Sequence, residues 1–205
     1  MNKKRITIIA LIMGCLLMMP LQSYGQEKKL KVSLQSGYSD PGKGYKNLDK
    51  GYNAALDVSY YVYKNLFITL HYKLEEGSYY EDRPILTDAP NNSIRGNTNT
   101  NLFVDNLGLM VGYSYPVIPR LSISAQTGMT FFKEILTNIP YRRADGNISA
   151  KDKAMLSAAI PLKLSVDYKV LDFMAIGVAS GFYIQPDFND AIRGFYVGPQ
   201  ISFLF

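Results

Sequence analysis

The sequence predicts an all-β fold: an eight-stranded antiparallel up-and-down β-barrel that crosses a membrane with its strands. Three observations carry this reading. Eight segments alternate apolar and polar residues, the connections between them alternate short and long, and the last segment is apolar at every second position up to a final phenylalanine. Alternation with a period of two puts one set of side chains on each face of a strand. With 47% hydrophobic and 19% charged residues among 205, the chain has the composition of a folded domain.

The first element in chain order is not part of the fold. Asn2-Lys3-Lys4-Arg5 precedes an apolar run from Ile6 to Met19, and Pro20 to Gly25 end it with a breaker and the small pair Ser23 and Gly25. This is the layout of a cleaved secretory signal, so residues 1–25 are assigned to export and 26–205 to the barrel domain. The run is shorter than the ~20 residues a membrane helix needs. Ile12-Met13-Gly14-Cys15 loosely matches a lipidation site, but Leu16 to Met19 stay apolar where a lipoprotein turns polar. Loss of Lys3, Lys4 and Arg5 leaves 19 basic against 17 acidic side chains, and Cys15 goes with them. A net +2 removes the support for nucleic-acid binding. A chain without cysteine has no disulfide framework and no thiolate metal site.

Strands follow near residues 29–38, 52–62, 66–76, 102–115, 121–132, 155–169, 173–185 and 194–205. In the second, Leu56, Val58, Tyr60 and Val62 alternate with Asp57, Ser59 and Tyr61. The third alternates Leu66, Ile68, Leu70, Tyr72 and Leu74 with Phe67, Thr69, His71, Lys73 and Glu75. The fifth does so from Leu121 to Phe131. Most reach the ~10 residues a tilted membrane strand requires, and their number is even. Three connections are short: Tyr63 to Asn65, Pro116 to Arg120, and Val170 to Asp172. Four are long and polar, near 39–51, 77–101, 133–154 and 186–193, as in Asp88-Ala89-Pro90-Asn91-Asn92. Short turns at one end and long loops at the other match a membrane barrel with periplasmic turns and four extracellular loops.

A soluble lipocalin-like carrier would turn its apolar face inward. About forty bulky side chains would then compete for an interior only just wide enough for side chains. The opposite face is instead small or polar: Gly108, Gly112, Ser122, Ser124, Gly128, Ala175, Gly177, Ala179 and Gly181. Aromatic residues of the apolar face, among them Tyr52, Tyr115, Phe131, Tyr168, Phe182 and Phe195, gather near strand ends as interfacial belts do. The apolar face therefore points to lipid. Pro161 and Pro199 fall inside strands, where a missing N–H marks a bulge or a local break in pairing.

Phe195, Val197, Pro199, Ile201, Phe203 and Phe205 share one face of the last strand. This strand resembles the C-terminal signal read by the barrel-assembly machinery of Gram-negative bacteria. With it, the whole chain after the leader resembles the small eight-stranded OmpA/OmpX-type outer-membrane barrels, without a periplasmic domain. The resemblance implies residence in the bacterial outer membrane, contact with its lipid and lipopolysaccharide, and a porin-like shape.

A hairpin closing at residues 63–65, with Val62 facing Leu66, sets Asp57 opposite His71, Ser59 opposite Thr69 and Ala55 opposite Lys73 on the inner face. Glu75, Lys163 and Asp167 also point inward. Buried charges need partners, so Asp57, His71, Lys73, Glu75, Lys163 and Asp167 are expected to form a polar network that fills the barrel. The alternative role for Asp57 and His71 is a narrow gated path or a proton-sensitive switch. Catalysis of the lipid-modifying kind needs an activated nucleophile, and the single His is placed inside, away from lipid. No enzyme activity, metal site or cofactor is expected: one His and no Cys leave only carboxylates, without an EF-hand run. Tyr79, Tyr80, Tyr141, Arg142 and Arg143 are the candidate loop residues for recognition of a surface protein partner or of lipopolysaccharide phosphate. The expected function is structural or interactive, at the cell envelope.

Overall fold

The computed structural model describes residues 29–40, 51–87, 94–142, 148–185 and 192–205. The leader and Arg143 lie outside the described residues. Eight strands pair in sequence order and close on themselves: β1 (Leu30–Asp40), β2 (Gly51–Tyr63), β3 (Leu66–Thr87), β4 (Ile94–Ile118), β5 (Leu121–Arg142), β6 (Ile148–Leu171), β7 (Met174–Ile184) and β8 (Ile192–Leu204). All neighbours in the barrel are antiparallel, and β1 closes against β8.

The apolar face points out. Leu66, Ile68 and Leu70 on β3, Leu107, Leu109 and Val111 on β4, and Leu164, Val166 and Tyr168 on β6 are all exposed, Leu109 at 61%. Their alternate neighbours Thr69, His71, Met110, Lys163 and Asp167 are buried. The lipocalin-like arrangement is thereby overturned. On β4 the outward band runs from Tyr115 up to Asp105. Ten residues at ~3.4 Å each, tilted by about 40°, give a height near 26 Å, the apolar thickness of a membrane barrel.

All three short hairpins are built alike. Each closes on a two-residue turn, Lys64-Asn65, Pro119-Arg120 or Asp172-Phe173, and each skips one valine just before it: Val62, Val117 and Val170. The predicted Val62–Leu66 pair is therefore corrected to Tyr63–Leu66. The bulge absorbs one residue, so the register above it remains as read, with Asp57 opposite His71. Lys64 takes a positive φ of 39° to make its turn. In β8, Gly194 adopts φ 65° where the register shifts between Phe182 and Tyr183, a bulge position that suits glycine.

The strands differ in length. β1, β2, β7 and β8 have 11–13 residues, whereas β3 to β6 have 22–25. Much of two predicted loops is therefore strand. β3 stays paired with β4 up to Ile85–Ile94, and β5 with β6 up to Arg142–Ile148. At the tip, Leu86 and Thr87 also pair in parallel with Tyr141 and Arg142. Asn, Gly and Thr have loop-like side chains but complete backbone donors and acceptors, which is all a ladder needs.

Both strand prolines interrupt one ladder each and leave the register unchanged. Pairing between β5 and β6 skips from Thr127–Leu162 to Thr130–Ala159, across Pro161. Pairing between β1 and β8 skips from Gln35–Gln200 to Tyr38–Val197, across Pro199, while the β7 side of Pro199 stays in register.

Candidate functional site

The barrel interior is filled in three layers. Lowest, at the turn end, Lys31 Nζ donates to Asp167 Oδ2 at 2.6 Å, and Gln200 Nε2 donates to the other oxygen at 2.8 Å. Lys31 comes from β1, Asp167 from β6 and Gln200 from β8. Phe67 caps this end beside Tyr61, its ring directly against Gly112. A methyl group at residue 112 would stand 2.5 Å from the Phe67 ring, so only glycine lets the ring lie flat there.

In the middle layer Asp57 accepts from two sides. Lys163 Nζ donates to Oδ2 and His71 Nδ1 donates to Oδ1, each at 2.5 Å. An ionised carboxylate can only accept, so the ring proton sits on Nδ1. All three side chains are at most 4% exposed. Ser59 and Thr69 hydrogen-bond to each other at 2.7 Å across the same hairpin. Above them Lys73 Nζ donates to Glu75 and lies 4.3 Å from the ring centres of both Tyr183 and Tyr196. Ser39 Oγ gives Glu75 a second hydrogen bond at 2.5 Å. Three lysines thus face three carboxylates, drawn from β1, β2, β3 and β6, and Tyr183 and Tyr196 add β7 and β8 to the set. In a low-dielectric interior, such mutual neutralisation makes burial tolerable.

The upper layer is mainly apolar, with Glu134 buried among it on β5 between Phe132 and Leu136. Leu102, Val104, Phe132, Leu136 and Ala159 pack with Tyr183 and Tyr196, and Phe132 meets Tyr183 edge-on at 4.9 Å. A cavity beside Glu75, lined also by Ser39, Leu102 and Val104, has a volume of about 10 Å³, roughly the space of one water.

The structure brings Asp57, His71 and Lys163 together, and Lys73 with Glu75. It places Asp167 apart, on Lys31, a residue the sequence reading did not single out. Tyr183 and Tyr196 were also missed. His71 is fully buried inside the barrel, and no group among the described residues hydrogen-bonds its Nε2. Phe195, Pro199 and Ile201 face outward from β8, while Tyr196, Gln200 and Ser202 between them are buried. Val197, Phe203 and Phe205 share the outward parity and are half-buried. Tyr79, Tyr80, Tyr141 and Arg142 lie on β3 and β5, not on loops, because the long hairpins continue as ladder past them. Among the described residues no cluster of His, Cys, Asp and Glu has the makings of a metal site.

A closed barrel with an apolar outer band and its charges paired within is a transmembrane β-barrel. The chain belongs to the outer membrane protein beta-barrel domain family, whose model matches residues 8–188. Its fold is similar to three solved structures. For Neisserial surface protein A the TM-score is 0.55 at 11% identity, covering 86% of this chain and 97% of that one. For Ail, the attachment invasion locus protein of Yersinia pestis, it is 0.54 at 8%, covering 88% and 100%. For OprG of Pseudomonas aeruginosa it is 0.50 at 11%, covering 89% and 96%. No curated protein matches the chain in sequence. At these identities the likeness is one of fold.

Proposed function

We propose that the protein is a surface-interaction barrel of the bacterial outer membrane, a non-enzymatic, non-conducting anchor whose working part is the sheet it holds beyond the lipid. The observation that carries this is the inequality of the strands. Four contiguous strands run about twice as long as the other four. Above Glu76 and Asp105, at the top of the apolar band, β3 and β4 continue for about ten residues, or roughly 35 Å of ladder. A barrel needs no such extension to cross a membrane. A recognition surface does.

The turn end faces the periplasm in this reading, and the long hairpins face out. The two free edges of the extension, β3 beyond its last pair with β2 and β6 above its last pair with β7, carry Pro84 and Lys151-Asp152-Lys153. These residue types discourage indiscriminate strand addition. Recognition is therefore assigned to the faces and tips of the sheet, where Tyr79, Tyr80, Tyr141 and Arg142 stand in sequence, for a surface protein partner or lipopolysaccharide. Two of the similar folds bear names that speak of a surface and of attachment and invasion, the same class of role. The layered interior supports an anchor, and the apolar belt and final strand support delivery by the barrel-assembly machinery.

Three measurements test the reading. Unboiled samples in SDS should migrate apart from boiled ones, because a closed barrel has no edge to unzip. Planar bilayers containing the purified protein should show no steady conductance, and trypsin on intact cells should cut within the β3–β6 extension. Sustained conductance, or altered lipid A on expression, would overturn the anchor reading.

A further inference from the structure

The two rims of the apolar band carry opposite charge. Among the described side chains, the rim of the long strands presents Asp40, Glu76 and Asp105 against Lys133. The turn rim presents Lys29, Lys64, Arg120 and Lys169 against one acidic side chain, Asp172. Asp172 holds Lys169 at 2.9 Å and is itself 94% exposed, so it screens one cation only weakly.

These cations stand on rigid supports. Lys64 and Arg120 belong to the two-residue turns closed by bulged Val62 and Val117, and Lys169 just precedes the third, beside Val170. Exposed tyrosines stand beside them at the turn end of the apolar band. Lys64 Nζ sits 5.5 Å from the ring centre of Tyr63, Asn65 Nδ2 donates to the Tyr113 hydroxyl at 3.4 Å, and Tyr168 adjoins Lys169. Tyrosine marks the depth where hydrocarbon gives way to headgroups. Cations one or two residues beyond it reach the phosphates and no farther. Neighbouring turns are two strands apart, about 10 Å, close to the screening length at 0.1 M salt. Each cation therefore acts on its own lipid.

We propose that the turn end of the barrel is a docking surface for anionic phospholipid headgroups of the phosphatidylglycerol type, with Lys64, Arg120 and Lys169 each engaging one phosphate. Zwitterionic lipids bring their own ammonium to the phosphate and compete poorly. Arg120 adds a bidentate fork. The inference rests on the membrane-barrel reading above, with the turn end set in the phospholipid leaflet.

The test is native mass spectrometry of the folded protein in detergent with equimolar phosphatidylglycerol and phosphatidylcholine. Near a membrane surface one basic side chain contributes roughly a fivefold preference, so the wild type should retain phosphatidylglycerol several-fold over phosphatidylcholine at low salt. K64Q/R120Q/K169Q should bring the ratio near one. D172N should raise it, and K133Q at the other rim should leave it unchanged. All variants should keep the heat-dependent gel shift. A wild-type ratio near one, or a ratio that survives the triple variant, overturns the proposal. Co-sedimentation with purified peptidoglycan that depends on the three cations, without lipid preference, would assign the rim to the cell wall instead and also overturn it. Loss of the gel shift in the wild type would sink the barrel reading itself, a separate failure.

Discussion

Asp57→Asn should strand a buried ammonium. Lys163 Nζ and Asp57 Oδ2 are 2.5 Å apart, with both side chains at most 4% exposed. At an effective dielectric near 20, unit charges about 4 Å apart attract by roughly 4 kcal/mol. Removing one partner of such a pair costs about 3–5 kcal/mol, because the other is left buried and uncompensated. The amide oxygen of the variant side chain would still accept from His71 Nδ1, so the loss belongs to Lys163. Lys163→Met should cost about 3 kcal/mol by leaving the carboxylate to His71 alone. In the double variant neither charge remains, and stability should return to within about 2 kcal/mol of wild type. The cycle therefore has a coupling of at least about 4 kcal/mol. The assay is urea unfolding of the protein in phospholipid vesicles, with the folded fraction read from the unboiled gel band. The coupling should barely change between low and high salt, since buried pairs are poorly screened. Additivity of the two single variants within about 0.5 kcal/mol would refute the reasoning, for it would mean the two groups do not meet in the folded barrel.

Three further outcomes are expected. Leu109, mid-band on β4 and facing out, should cost about 2–4 kcal/mol as Leu109→Arg in vesicle unfolding; a neutral result would place it away from the bilayer centre. Gly112→Ala drives a methyl into the Phe67 ring and Gln126 and should cost about 1–3 kcal/mol, part of it restored by Phe67→Leu; equal stability of G112A and wild type in the same titration would contradict the flat ring. Deleting Phe205 should lower the amount of barrel in the outer membrane of cells while leaving refolding in vitro largely intact, as a sorting signal requires. Equal loss in both settings would make the residue structural, through the seam hydrogen bonds of its backbone with Leu30.

The inner register was legible because parity propagates. Once a hairpin closes at Lys64-Asn65, every inward residue of β2 meets an inward residue of β3, and one bulged valine near the turn leaves Asp57 opposite His71. Lys31 was not legible from one chain's alternation. Its partner Asp167 is 136 residues away and reaches it across the barrel lumen, not along a ladder. Tyr196 went unnoticed, and Phe67 was placed on the inner face without a role, because that face was read as small and polar. Each sits directly across the ladder from a glycine, Gly181 and Gly112, so a large ring facing a missing side chain was a signal available in the pairing. The upper halves of β3 and β4 were read as loop from residues such as Pro84, Asn97 and Asn99. Their composition is that of a loop, but their backbone groups pair throughout.

The closing seam is also a line of mechanical weakness. It joins strands at opposite ends of the chain, with Ser33 bonded to Ser202 across 169 residues, and two rungs are missing there beside Pro199. Every other junction of the barrel is a neighbour in sequence. Tension applied to either terminus therefore loads the β1–β8 ladder first, and it parts like a perforated sheet, releasing hairpins one after another. The long strands on the far wall are the last to feel the pull, so the portion that projects outward outlasts the closure that holds the tube shut.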